Sequence, residues 1–145
     1  MDQRVSLVTL GVADVERARR FYEQLGWSGQ TVEETVFFQA GGQAVVLWGR
    51  AKLAADSGVV DDEHRDFGGM ALAHNVRDRA EVVEVIESAS RAGATVTRPP
   101  GETFYGGYAG CFRDLDGHVW EIAYNPGFEL DEEGRLTLPD FDSPE

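Results

Sequence analysis

Val8, Leu10 and Val12 alternate with Leu7, Thr9 and Gly11, a period of two that predicts a strand with two unlike faces. Asp14 follows in the N-cap position. Val15, Ala18, Phe21, Tyr22 and Leu25 then recur at helical spacing until Gly26 supplies a C-terminal stop. Residues 35–40 and 44–48 are β-rich runs separated by Gly41 and Gly42, the composition of a hairpin turn, with 31–33 a weaker strand candidate before them. The opening unit is therefore strand, helix, then at least two strands.

Residues 49–69 lose this periodicity and carry Asp56, Asp61, Asp62, Glu63, His64, Arg65 and Asp66, which reads as a connector with one helical turn around Leu53. The pattern then restarts. Leu72, His74 and Val76 alternate with Ala71, Ala73 and Asn75, and Asp78 with Glu81 three residues on forms a capping box. Val82, Val83, Ile86, Ala89 and Ala92 make a helical stripe that Gly93 ends. Residues 94–97 begin a strand that Pro99 and Pro100 break, and strands over 108–113 and 119–124 are joined by the turn Asp114-Leu115-Asp116-Gly117. The halves overlay: Val12 matches Val76, Asp14 matches Asp78, Gly26 matches Gly93, Phe38 matches Phe112 and Leu47 matches Glu121.

A strand–helix–strands unit covers one face of its sheet with its own helix and leaves the other to meet its twin, in the same chain or across a dimer, so a ligand cavity is expected between two such faces. Module one spans 4–49, a connector 50–68 and module two 69–126. Together they make one domain over 1–128, followed by a tail over 129–145.

Composition narrows the function classes. Thirteen basic against 26 acidic residues give a net charge of −13, which repels phosphate backbones and anionic lipid headgroups, so neither nucleic acid nor membrane is an expected partner. The tail holds seven of the acids and one arginine and reads as solvated and partly disordered. The single cysteine, Cys111, makes no internal disulfide and suits a cytoplasmic protein. The apolar run over 5–13 is too short for a membrane span and is read as a strand.

The run Leu10-Gly11-Val12-Ala13-Asp14 leading to Ala18-Arg19-Arg20-Phe21-Tyr22 and Leu25-Gly26, and the run Asp114-Leu115-Asp116-Gly117-His118-Val119-Trp120-Glu121, resemble the vicinal oxygen chelate superfamily. That group includes glyoxalase I, extradiol dioxygenases, methylmalonyl-CoA epimerase, and bleomycin and fosfomycin resistance proteins. The resemblance implies an α+β fold of two tandem βαβββ modules that form a cupped mixed sheet with helices outside, commonly as homodimers. It also implies metal-ligand positions at Leu7 and Ala71 in the first strands and at Leu47 and Glu121 in the last ones. Three of these lack a donor atom, and one carboxylate does not hold a divalent ion against water. No metal or other cofactor is therefore expected, a divalent metal held by other ligands being the alternative.

Among candidate site residues, Glu121 is expected to share a side with Val119 and Ala123 and to point into the cup. Desolvation would raise its pKa and suit it to acid–base work unless a cation compensates; a relic acid paired with an arginine or water is the other reading. Phe104, Tyr105 and Tyr108 offer rings and hydroxyls around flexible glycines. With Phe112 opposite Val119, the residues Tyr108, Gly110 and Phe112 face the cup, while Cys111, Trp120 and Ile122 turn to the helix. His118 is expected at a solvated turn and His64 in a charged loop that holds a surface cation weakly at most. His74 is expected as a packed residue of the helix side.

The reading that emerges is a metal-free small-molecule-binding protein resembling the bleomycin-resistance type, which sequesters its ligand. Thr9, Phe38, Asn75, Phe104, Tyr105, Tyr108, Phe112 and Glu121 would line the site. The alternatives are a lyase, isomerase or dioxygenase acting on a small oxygenated substrate, with Glu121 as metal ligand or general base, and an interaction module working through the acidic tail.

Overall fold

A computed structural model describes residues 1–62 and 66–142. Module one consists of β1 (Leu7–Val12), α1 (Val15–Gln24), β2 (Gly29–Val32), β3 (Thr35–Ala40) and β4 (Gln43–Gly49). A helix, α2 (Arg50–Asp56), then occupies the start of the connector and is longer than the single turn expected there. Module two repeats the order with β5 (Ala71–Asn75), α3 (Arg79–Arg91), β6 (Thr95–Glu102), β7 (Tyr108–Arg113) and β8 (Val119–Tyr124). The sheets are separate and have the same strand order, β1-β4-β3-β2 and β5-β8-β7-β6. In each, the first strand runs parallel to the last and the other pairs are antiparallel.

Local chemistry accounts for the helix ends. The Asp14 carboxylate accepts from the Arg17 N–H at 2.9 Å, and the Asp78 carboxylate accepts from the Glu81 N–H at 2.9 Å. Glu81 reaches back past the cap to accept from the Arg77 N–H at 3.2 Å, one residue before the N–H a full capping box would use. After α1, Gly26 takes φ +97° while the Trp27 N–H donates to the Tyr22 carbonyl, the glycine-dependent closure expected at that position.

One apolar core serves both modules. Leu10, Val12, Phe21, Tyr22, Phe38 and Leu47 of the first pack with Val82, Ile86, Phe112, Trp120 and Ile122 of the second. Phe21 meets Phe112 with ring centroids 6.4 Å apart, and Trp27 meets Trp120 edge-on at 5.7 Å. A polar link crosses the same boundary. The Tyr22 hydroxyl donates to the Asp114 carboxylate at 2.6 Å and accepts from the Trp120 indole N–H at 3.1 Å. The helix-covered faces of the two sheets thus share an interior, and their helix-free faces turn outward, where Leu7, Val32, Ala71 and Ala73 are exposed.

Two expectations change. β6 continues through Pro99 and Pro100 by way of register irregularities instead of ending before them. The tail is not featureless over its described part: β9 (Glu129–Leu130) and β10 (Leu136–Thr137) form a hairpin, with the Arg135 guanidinium donating to Asp131 at 2.8 Å across its turn. Those contacts hold the Asp131 carboxyl below its ordinary range, hydrogen bonding from the Arg135 backbone being the largest cause. No helix among the described residues is long and apolar enough to cross a membrane.

Candidate functional site

Strand alternation and register decide which side chains share a face. In module two, Ala71, Ala73 and Asn75 of β5 stand beside Val119, Glu121 and Ala123 of β8 on the helix-free side. The next strand corrects the expectation. Cys111 lies opposite Glu121, Phe112 opposite Trp120 and Gly110 opposite Ile122, one residue out of the expected pairing. The cause is the turn. Asp114 accepts from the N–H groups of Asp116 and His118, and its own N–H donates to the His118 carbonyl, so His118 joins the turn and the return strand starts a residue later. With a side-chain period of two, that step exchanges the faces.

Cys111 therefore belongs with Glu121 on the helix-free face. Phe112, 1% exposed, is core, as is Phe38, also 1% exposed. Neither lines a ligand surface. Tyr108 packs against the core with the Arg79 guanidinium over its ring at 5.5 Å. Phe104 and Tyr105 stack edge-on at 5.2 Å in the exposed loop between β6 and β7. Of the remaining candidates, Thr9 sits on the helix-free face of module one beside Val46, while Asn75 and Glu121 sit on that of module two. A single chain does not bring these two groups together, because the shared core lies between the faces that carry them.

Around Glu121 the floor is made of small side chains: Ala73 and Cys111 are its register neighbours, with Ala71, Ala109 and Ala123 nearby on the same face. Ala109 and Ala123 are buried yet lie outside the common core, as expected of the opposite face. The Arg98 guanidinium lies 3.7 Å from the Glu121 carboxylate, with side-chain exposures of 52% and 39%. Glu121 is thus neither deeply buried nor without a cation, the two conditions on which its expected activation as a base rested. Burial pushes the Cys111 thiol above its ordinary pKa and Glu121 adds to this, against the opposing pull of Arg98. The sulfur is a neutral wall at pH 7 and not an activated nucleophile.

Sequence reasoning missed Arg98, because the prolines after it read as the end of a strand. It also placed the fourth metal position wrongly. Glu121 is beside Ala73, and the equivalent pair in module one is Val46 beside Thr9. Leu47, 0% exposed, points into the core instead. The corrected set of Leu7, Val46, Ala71 and Glu121 still offers one carboxylate, so these residues do not fit a divalent ion. Among the described residues no three histidine, cysteine or acidic side chains cluster as metal ligands elsewhere.

A second concavity, a cleft of ≈1010 Å³, opens where the ends of β1 and β4 meet α2, the connector and the β7–β8 turn. Trp48, Arg50, Asp61, Asp116 and His118 are among its walls. His118 is not simply solvated at the turn: its Nε2 lies 2.8 Å from the Gly11 carbonyl, to which it donates as the N–H tautomer. The Asp116 carboxylate accepts from the Ala13 N–H at 2.8 Å, and Arg50 donates to both oxygens of Asp61 at 3.0 and 2.9 Å. These contacts tie the modules and the connector together. Nothing local in the sequence announces a bond between residues 11 and 118. His74 lies on the helix side as expected but is exposed at the surface; partial burial of its ring lowers its pKa against the pull of Glu81. His64 and Glu63, two of the five residues of the anticipated cation-holding group with Asp61, Asp62 and Asp66, lie outside the described residues.

Comparison with known proteins adds to this geometry. A family model described as the Glyoxalase/Bleomycin resistance protein/Dioxygenase superfamily matches residues 4–122. A crystal structure of a glyoxalase-related enzyme from Fulvimarina pelagi is 38% identical with a TM-score of 0.88, covering 95% of this chain and 99% of its own. A fosfomycin resistance protein from Mesorhizobium loti (22% identity, TM-score 0.64, covering 86% of this chain and 94% of that one) shares the fold. So does a lactoylglutathione lyase from Agrobacterium tumefaciens (21% identity, TM-score 0.63, covering 85% and 94%). No curated protein matches the sequence.

Proposed function

This chain belongs to the glyoxalase/bleomycin resistance protein/dioxygenase superfamily, and from that membership we propose that it binds a small organic molecule without a metal ion, as a homodimer. The observation that carries the reading is the pairing of unlike open faces. Module two presents a floor of small residues around the Arg98–Glu121 pair, whereas module one presents Leu7, Val32 and Phe37, exposed by 46%, 52% and 36%. One face has room and a polar centre; the other has apolar bulk to cover it. Joined by a two-fold axis, each copy would roof the other's floor and enclose a site of the kind that takes a mostly apolar ligand with a few fixed polar contacts.

The measurement is sedimentation velocity together with a ligand-library thermal-shift screen, run with EDTA and with added divalent ions. The expected outcome is a dimer whose hits raise the melting temperature equally in both conditions. A monomer, or a stoichiometric metal on which every ligand shift depends, overturns the proposal. A second reading, an enzyme acting on a small oxygenated substrate with Glu121 as proton acceptor, draws on the 38% identity to a glyoxalase-related enzyme. It requires Glu121 to part from Arg98, and turnover that survives Glu121→Gln would remove it.

A further inference from the structure

We propose that Arg98 anchors an anionic group of the ligand, a carboxylate or comparable oxyanion, on the helix-free face of module two. This deepens the binding reading above and rests on it for the ligand's existence. β6 pairs Val96 with Phe112 and then, after a bulge, Arg98 with Cys111, so Thr97 is the extra residue. Were the ladder regular, Thr97 would face Cys111 and Arg98 would face Gly110 on the core side, burying a guanidinium among Ile86 and Ile122. Pro99 and Pro100 have no N–H with which to continue a regular ladder, and the bulge they favour re-aims Arg98 to the open face. Gly110 makes it feasible: a Cβ there would meet the Arg98 carbonyl, the Pro100 nitrogen and Ile86 at 3.2 Å.

The re-aimed guanidinium has donors to spare. It lies 3.7 Å from Glu121, beyond hydrogen-bond reach, and among the described residues it donates to no carboxylate or carbonyl oxygen. Its other neighbour, the Cys111 sulfur, takes one hydrogen bond from it but carries no competing charge at neutral pH, so the remaining N–H groups stay open to a ligand. By alternation Arg113 stands on the same face, so two arginines oppose one glutamate there, a local balance of +1 in a chain of −13. A planar, half-exposed guanidinium with free N–H groups, lightly oriented by a carboxylate, suits two-pronged recognition of an oxyanion. Glu121 then acts as a positioning residue that also weakens the field the anion meets.

Cys111, the only cysteine, is a built-in reporter. Alkylation by iodoacetate, an anion, and by iodoacetamide, its neutral counterpart, draws on the same thiolate, so their rate ratio reads the field at Cys111 and cancels the thiol pKa. Arg98→Gln should lower that ratio about fivefold, the value of one unit charge at roughly 4 Å in water. Arg98→Lys should keep most of the ratio. Glu121→Gln should raise it several-fold, and 1 M NaCl should compress all these differences. An unchanged ratio in Arg98→Gln, a fall in Glu121→Gln, or a Cys111 that reacts with neither reagent in the folded protein overturns the anchor. Should the Gln variant fail to fold, the Lys and Glu121 variants decide. Loss of the anchor alone leaves metal-free binding standing, whereas a metal-dependent thermal shift would sink the binding reading and leave the rate ratio untouched.

Discussion

Removing the Tyr22 hydroxyl tests whether the modules are locked through a buried polar link. In Tyr22→Phe the ring contacts with Phe21, Trp27 and Phe38 persist, while the Asp114 carboxylate, 6% exposed, loses a donor at 2.6 Å and the Trp120 indole loses its acceptor at 3.1 Å. A hydrogen bond to a charged group contributes about 1.5–3 kcal/mol and one between neutral groups about 1 kcal/mol. The expected loss is therefore roughly 2–4 kcal/mol, a large share of the roughly 5–15 kcal/mol that holds a typical domain folded. Urea unfolding reads it as a lower midpoint at unchanged slope. Tyr124→Phe is the control, since its half-buried hydroxyl makes no hydrogen bond among the described residues, and it should stay within about 0.5 kcal/mol. A Tyr22→Phe loss no larger than the control's would refute the lock. So would an absence of coupling in the double-mutant cycle with Asp114→Asn.

The same phenol sets an alkaline limit. Burial first, and then the charge of Asp114, raise the Tyr22 pKa well above its ordinary 10.0. The folded state therefore holds a proton that the unfolded chain releases, so the stabilisation is complete below about pH 10 and lost as pH rises beyond it. Stability measured from pH 9 upward should fall more steeply in the wild type than in Tyr22→Phe. Gly29→Ala should cost about 1–3 kcal/mol through overpacking, because a Cβ there would sit 2.7 Å from both Phe38 and Val36; a melting temperature equal to the wild type's would contradict this packing.

Much of the architecture was legible because its signals are local. Asp14 and Asp78 cap the helices where their spacing predicts, Gly26 and Gly93 take positive φ, and the duplicated order of elements shows in the alternation of Leu72, His74 and Val76 against that of Val8, Leu10 and Val12. The side-chain faces of β1, β5 and β8 follow as well. In β7 what failed was one residue of register. Asp114 draws His118 into the turn, and that shift moved Tyr108 and Phe112 to the helix side and Cys111 to the open one. No propensity encodes it; the carboxylate of Asp114 does, once it is fixed from across the core by Tyr22.

Arg98 escaped for a related reason. Prolines inside a run remove ladder hydrogen bonds, and the usual reading ends the strand there. Here the chain continues with a bulge, and an arginine that strict alternation would bury reaches the face where the family places its ion. The positions available to that ion hold Leu7, Val46, Ala71 and Glu121, and the remaining carboxylate has a guanidinium beside it. An organic cation there would meet part of the electrostatic demand a metal would meet, since it offsets the charge of Glu121 and would offer positive donors to a ligand oxygen. It cannot polarise a bound oxygen as a Lewis acid does. An arginine in this position therefore favours holding an anion over activating one, and binding and catalysis at this face should separate in one variant: Glu121→Gln ought to tighten anion recruitment while abolishing any proton transfer.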